Sequence, residues 1–290
     1  MKPLALLSSA VRDRIRPARP FVPRFTKPWR ATFAFALLAL PVFAHDMWLV
    51  SPQGARVGEP VEVEISVGMD FPTSLNAIDP ERLTTRAIGP AGESAEVTIR
   101  AVEHESRTIA TFTPTVPGTW MLASSTRPKQ LDMTAAKFNN YLLHDGLAHV
   151  LAGRMHRGEM DRDASELYSK YVKCPVQVGA AGEASAAQRV LGERLEIVPL
   201  SDPLEASVGG TLSVRVLFDG KPVERANLCW DHPGNGDDFA GQTWTDFVGK
   251  AIVPIGKTGP MMLRLVHMTR PETEQYEWES FWASYSFTVR

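Results

Sequence analysis

Val61-Glu62-Val63-Glu64-Ile65-Ser66-Val67 alternates without interruption, with four branched apolar residues on one face and two carboxylates and a serine on the other. A period of two is the mark of a half-buried strand. The same texture continues outward from Gly58 to Ser125, through AEVTIRA (95–101), TIATFTP (108–114) and GTWMLAS (118–124). Turn signals GPAG (89–92) and PTVPG (114–118) separate these runs. Short strands at this spacing predict an antiparallel sandwich.

The pattern returns after Glu193. LEIVPL, TLSVRVLF, KAIVPI, MMLRLVH and ESFWASYSFTV follow one another, with a turn at Asp219-Gly220-Lys221-Pro222. Leu212, Val214, Val216 and Phe218 alternate as a half-buried strand requires. Between the two β regions the period changes. AAKFNNYLLHDGLAHVLAGRMHRGE (135–159) sets Leu143, Leu147, Val150 and Leu151 at i, i+4, i+7 and i+8, an amphipathic helix. SELYSKYVK (165–173) reads as a second helical stretch, with Leu167, Tyr168, Tyr171 and Val172 on one side. GAAGEASAAQ (179–188) has the composition of a flexible linker. The expected fold is mainly β: two antiparallel, Ig-like β-sandwich domains (45–133 and 193–290), a helical insertion (134–178) and a linker (179–192).

Residues 1–44 have another character. Seven arginines and lysines between Arg12 and Arg30 precede the uncharged run ATFAFALLALPVF and then Ala44. A charged region, a short apolar stretch and small residues before a cut mark a secretory signal. Val42 and Ala44 fit the −3 and −1 positions, so cleavage is expected to leave His45 as the first residue. The whole chain carries a formal charge of −2; with the leader's eight basic residues and one acid set aside, 23 basic and 32 acidic residues remain. A mildly acidic body leaves no electrostatic footprint for nucleic acid. The apolar run is too short to span a bilayer comfortably. The expected compartment is therefore the periplasm.

Known catalytic signatures are missing. There is no G-x-S-x-G, H-E-x-x-H, Walker loop or G-x-G-x-x-G, and Cys174 and Cys229 form no C-x-x-C pair. Those two cysteines could close a loop of about 55 residues, worth roughly 4 kcal/mol, or remain buried thiols; the sequence leaves both open.

Histidines remain as candidates. His149 and His156 lie seven apart, about 10 Å along a helix axis, too far to share an ion. These two and His144 read as solvated or structural, and His104 and His232 sit in polar turns. His267 ends MMLRLVH with the parity of Leu263 and Leu265, and Glu279 shares parity with Phe281, Ala283 and Tyr285. If the two last strands pair antiparallel, His267 and Glu279 meet at one rim beside Trp278 and Trp282. A buried carboxylate is costly unless paired or ligating. A terminal His45 would add an α-amine and an imidazole, a chelate suited to nickel, cobalt, copper or zinc.

The start HDMWLVSP, the middle segment AAKFNNYLLHDGLAHVLAGR with ELYSKYVK after it, and the closing VHM…WESFWASYSFTV together resemble the DUF4198 family, exported bacterial proteins often labelled periplasmic components of a nickel or cobalt uptake system. The resemblance implies a non-catalytic protein that binds a transition metal ion or its chelate and delivers it to a membrane transport component. Its H-[DE]-x-W start falls on His45, Asp46 and Trp48, and its late pattern on His267, Trp278, Glu279 and Ser280. The expected metal set is thus His45, Asp46, His267 and Glu279. Two alternatives stand beside it: a copper-dependent oxidative enzyme with a terminal-histidine brace, and a metal-free module binding sugar or protein.

Overall fold

The computed structural model describes residues 45–290 apart from 53, 181–183 and 236–238; the signal-peptide reading of 1–44 lies outside the described residues. The strands in chain order are β1 (Asp46–Val50), β2 (Val61–Gly68), β3 (Leu83–Ile88), β4 (Ser94–Ala95), β5 (Val97–Val102), β6 (Arg107–Phe112), β7 (Gly118–Thr126) and β8 (Lys129–Met133). Two helices follow, α1 (Ala135–His144) and α2 (Ala148–His156). Then come β9 (Ala164–Val178), β10 (Leu195–Pro199), β11 (Thr211–Phe218), β12 (Lys221–Pro222), β13 (Asn227–Asp231), β14 (Gly241–Trp244), β15 (Lys250–Pro254), β16 (Gly259–Thr269) and β17 (Trp278–Val289).

The decisive stretch 61–67 is strand β2. Val61, Val63 and Ile65 are buried, and β2 lies between β1 and β6 in a four-stranded sheet, β1-β2-β6-β5. A second small sheet joins β10, β11, β12 and β15. Both face one nine-stranded sheet that runs β14-β13-β16-β17-β9-β7-β3-β4, with β8 paired to β9. One core lies between the first small sheet and β3, β7 and β9; Val63, Ile65, Trp120, Leu122 and Val176 belong to it. The other lies between the second small sheet and β13, β16 and β17, around Val214, Val216, Leu263, Phe281 and Tyr285. The chain is mainly β, in several sheets, and one sheet passes through both cores.

That continuity depends on β9, and here the helical reading of 165–173 is corrected. Residues 164–178 form a fifteen-residue strand, parallel to β17 (Trp278↔Glu166 to Tyr285↔Lys173) and antiparallel to β7 (Leu122↔Cys174). The apparent helical spacing of Leu167, Tyr168, Tyr171 and Val172 is coincidental. Aromatic and β-branched residues favour a pleated surface, and Pro175 bars a helix from continuing through the residues that complete the strand. A strand flanked on both sides satisfies all its backbone groups in the sheet. The helices that do form, α1 and α2, cover the sheet with Phe138, Tyr141, Leu142, Leu147 and Val150 against Val266, Met268, Trp278 and Trp282.

The described part of the expected linker is also fixed. Thr119 N–H donates to Ala184 O, Ala186 N–H to Thr119 O, and Tyr285 Oη to Ala187 O. Ala186 and Ala187 are fully buried, because only small side chains let this segment lie so close to the sheet.

Cys174 and Cys229 are buried free thiols. They sit on β9 and β13, three strand positions apart in the sheet, or roughly 14 Å at about 4.8 Å per step. A disulfide needs Cα atoms within about 7 Å. Alkylation under denaturing, non-reducing conditions should therefore label both cysteines, and dithiothreitol should leave the melting temperature unchanged. A mass deficit of two hydrogens would contradict this.

Candidate functional site

The four expected metal ligands are not brought together. β1 lies across one face of the large sheet, where Ser284 Oγ donates to Met47 O at 2.7 Å and Ser286 Oγ to Leu49 O. His267 and Glu279 are on the other face, with the odd-numbered residues of β17 that enter the core. The sheet therefore stands between His45 and His267. The cause is the alternation of β1 itself. Met47 and Leu49 enter one core while Trp48 packs on Phe71 and Met262, which anchors the strand before it could reach the other rim.

The acids are also engaged elsewhere. Asp46 Oδ1 accepts from Arg264 Nε at 2.9 Å, and Asp145 Oδ1 accepts from Arg264 Nη2 at 2.5 Å. Burial works against the Arg264 charge, but the two carboxylates overcome it and hold the guanidinium protonated. Glu279 Oε1 accepts from Arg194 Nη1 at 3.2 Å, while the same arginine forks onto Asp219 at 3.0 and 3.2 Å. Glu279 and His267 do share a face: His267 pairs with Phe281 and Thr269 with Glu279. Between them Arg194 covers Phe281, its guanidinium 4.3 Å from the ring centre. Among the described residues no three His, Cys, Asp or Glu side chains gather as a metal would require.

His267 instead meets another histidine. The β13–β16 pairing stops at Cys229↔Arg264, whereas β13 stays bonded to β14 as far as Asn227↔Trp244. Below that point the two strands part, and a cleft of about 900 Å³ opens between them and the turn joining α1 to α2. His149 enters from the first turn of α2, His267 from β16, Asn227 from β13 and Trp244 from β14. Gly146 (φ +72) makes the turn, and a Cβ there would lie 2.1 Å from Asn227 Nδ2, so glycine is required at that contact.

The chemistry of this cleft is distinctive. Burial, reinforced by the proximity of His149, pushes the His267 pKa down to about 4, and burial also lowers that of His149. The His267 ring rests on Phe218 with centres 4.5 Å apart. Asn227 is only 6% exposed; its Nδ2 donates to Gln242 Oε1 at 3.1 Å, and its Oδ1 has no partner among the described residues. A buried carbonyl oxygen without a donor is costly. Trp244, 52% exposed, offers a broad apolar wall. The lining thus brings together two neutral imidazoles, the Trp244 ring, the charged side chains of Glu224 and Arg225, and Asn227, whose unpartnered oxygen is itself buried. The parting of β13 from β16 has no local signal, so nothing in the sequence marks His149, Asn227 or Trp244 as neighbours of His267.

A family model described as a domain of unknown function (DUF4198) matches residues 42–269. No curated protein matches. Among solved structures, the D0-D1 domain of Intimin is 12% identical, with 83% of this chain and 97% of that one covered at a TM-score of 0.23. Trypsin-activated alpha-2-macroglobulin from Escherichia coli is 11% identical, with 84% of this chain and 15% of that one covered at a TM-score of 0.26. The Lin-41 filamin domain is 14% identical, with 26% and 72% covered at 0.21. Scores this low carry nothing about ligands or partners to this chain.

Proposed function

The chain belongs to the DUF4198 family, and from that premise we propose that it is an exported, periplasmic binding protein for a divalent transition metal, nickel or cobalt foremost, which it delivers to an uptake system without catalysing a reaction. The observation that supports this reading is the pair His149 and His267 facing one cleft. Neutral imidazole is the form that ligates a metal, and it suits nickel, cobalt, copper and zinc. The breadth of the cleft leaves positions for water or a small chelator. Open coordination positions suit a cargo that must be released. The metal reading thereby moves from the rim of His267 and Glu279 to the cleft of His267 and His149. A brace at a processed His45 is the alternative, on a surface walled by Lys170, Arg82 and Lys129, where three positive side chains oppose a cation.

Titration calorimetry with nickel separates the two. His267→Ala and His149→Ala should each weaken binding at least about tenfold, roughly 1.4 kcal/mol, while His45→Ala leaves affinity unchanged. Loss confined to His45→Ala would transfer the site to the terminus. Full affinity in all three variants would remove both readings.

A further inference from the structure

The surface beside His45 has a chemistry of its own. A cleft of about 230 Å³ opens between the start of β1, the segment leading into β3, and β8 and β9. Lys170 forms its floor; it is 6% exposed, its Nζ donates to His45 O, and its ammonium lies 5.5 and 5.3 Å from the ring centres of Tyr168 and Trp282. Arg82 enters from the side, and its Nη2 is buried with no acceptor among the described residues. Lys129 stands exposed at the mouth. Among the described residues the lining contains one acid, Asp79, and its carboxylate accepts from the Glu81 N–H at 3.0 Å.

A buried guanidinium nitrogen without an acceptor is rare, because its desolvation goes uncompensated. Nearby carboxylates do not serve it: Asp46 and Asp145 are both spent on Arg264. An acceptor that entered the cleft would meet the Arg82 guanidinium, which lines it. A planar fork such as Arg82 matches a carboxylate, and Lys170 adds a second positive donor. The remaining walls, including Met47, Val67, Ile78 and Leu131, are apolar. They favour an anion with a carbon body over a bare inorganic ion. A space of about 230 Å³ is on the scale of a small organic acid.

We propose that this cleft binds a small organic carboxylate, with its carboxylate on Arg82 and Lys170 and its carbon body against Met47, Ile78 and Leu131. The site is separate from the histidine cleft and does not depend on the metal reading.

Calorimetry of the purified protein with succinate, its neutral diamide and inorganic phosphate tests this. Succinate should bind and weaken as salt rises, the diamide should give no heat, and phosphate should bind less tightly than succinate. Arg82→Gln should weaken succinate binding at least tenfold, and Lys129→Gln two- to fivefold. The second variant changes an exposed side chain, so its fold is secure. Equal binding of the diamide, tighter binding of phosphate, unchanged succinate affinity in both variants, or no heat from succinate at millimolar concentration would each overturn the proposal.

Discussion

Replacing Arg264 by methionine should destabilise the fold by about 3–5 kcal/mol, the usual result of removing one partner from a buried ion pair. Arg264 is 2% exposed, and it ties β16 to two other elements: the start of β1 through Asp46 and the end of α1 through Asp145. Its guanidinium also lies 4.7 Å from the Phe239 ring centre and 5.4 Å from that of Trp282. Methionine keeps the volume and apolar contact but strands two carboxylates, one of them 7% exposed. Urea unfolding of the wild type and Arg264→Met measures the loss. Adding Asp145→Asn to the variant should recover at least about 1 kcal/mol, because the stranded charge is then gone. A loss below about 1 kcal/mol for the single variant, with no recovery in the double, would show that the carboxylates reach water and that the cluster holds nothing together.

This cluster also explains how far the sequence could be read. The strands were legible because one face of each is dry: Val61, Val63 and Ile65, and later Val214 and Val216, alternate with polar neighbours such as Glu62, Glu64, Ser213 and Arg215, and alternation is a local property. β9 was not legible. It lies mid-sheet, so its two faces are both covered, and it carries Glu166, Lys170 and Lys173 among its buried residues. Buried charges on a strand imitate the polar stripe of a helix until their partners are known, and those partners are distant in sequence. Lys173 finds Glu196 at 2.8 Å, and Tyr141 on α1 reaches Glu166.

The functional residues divide on the same ground. The common face of His267 and Glu279 follows from parity within two strands, so it could be inferred. That Arg194 claims Glu279, that β1 lies behind the sheet, and that β13 leaves β16 just where His149 can enter are tertiary facts. None has a spacing that announces it. Asp46 and Arg264 are 218 residues apart, and no pattern in either segment indicates that they meet.

Glu166 carries the last consequence of this buried charge, and it fixes a sign for the pH dependence of stability. Its side chain is fully buried; Oε1 accepts from Tyr141 Oη at 3.2 Å and from Ser280 Oγ, while Oε2 has no partner among the described residues. Burial raises its pKa from 4.5 to about 7, a rise that the hydroxyls of Ser280 and Tyr141 oppose and the charge of Asp145 adds to. Below pH 4.5 the carboxyl is protonated in both folded and unfolded chains and contributes no pH dependence. Between 4.5 and about 7 the folded chain keeps a proton that the unfolded chain has released, so stability falls as pH rises. Above 7 the cost of a buried carboxylate is complete, on the order of 3 kcal/mol at about 1.4 kcal/mol per pH unit. Glu166→Gln retains an acceptor for the two hydroxyls and cannot ionise. It should match the wild type near pH 4.5 and exceed it by an amount that grows to on the order of 3 kcal/mol by pH 8. Groups that do not feel the Glu166 charge are common to both proteins and cancel in the difference. Denaturant unfolding at pH 4.5, 6 and 8 gives the curve directly; a gap independent of pH, or a variant less stable at pH 8, would show that Glu166 is ionised and satisfied in the folded protein.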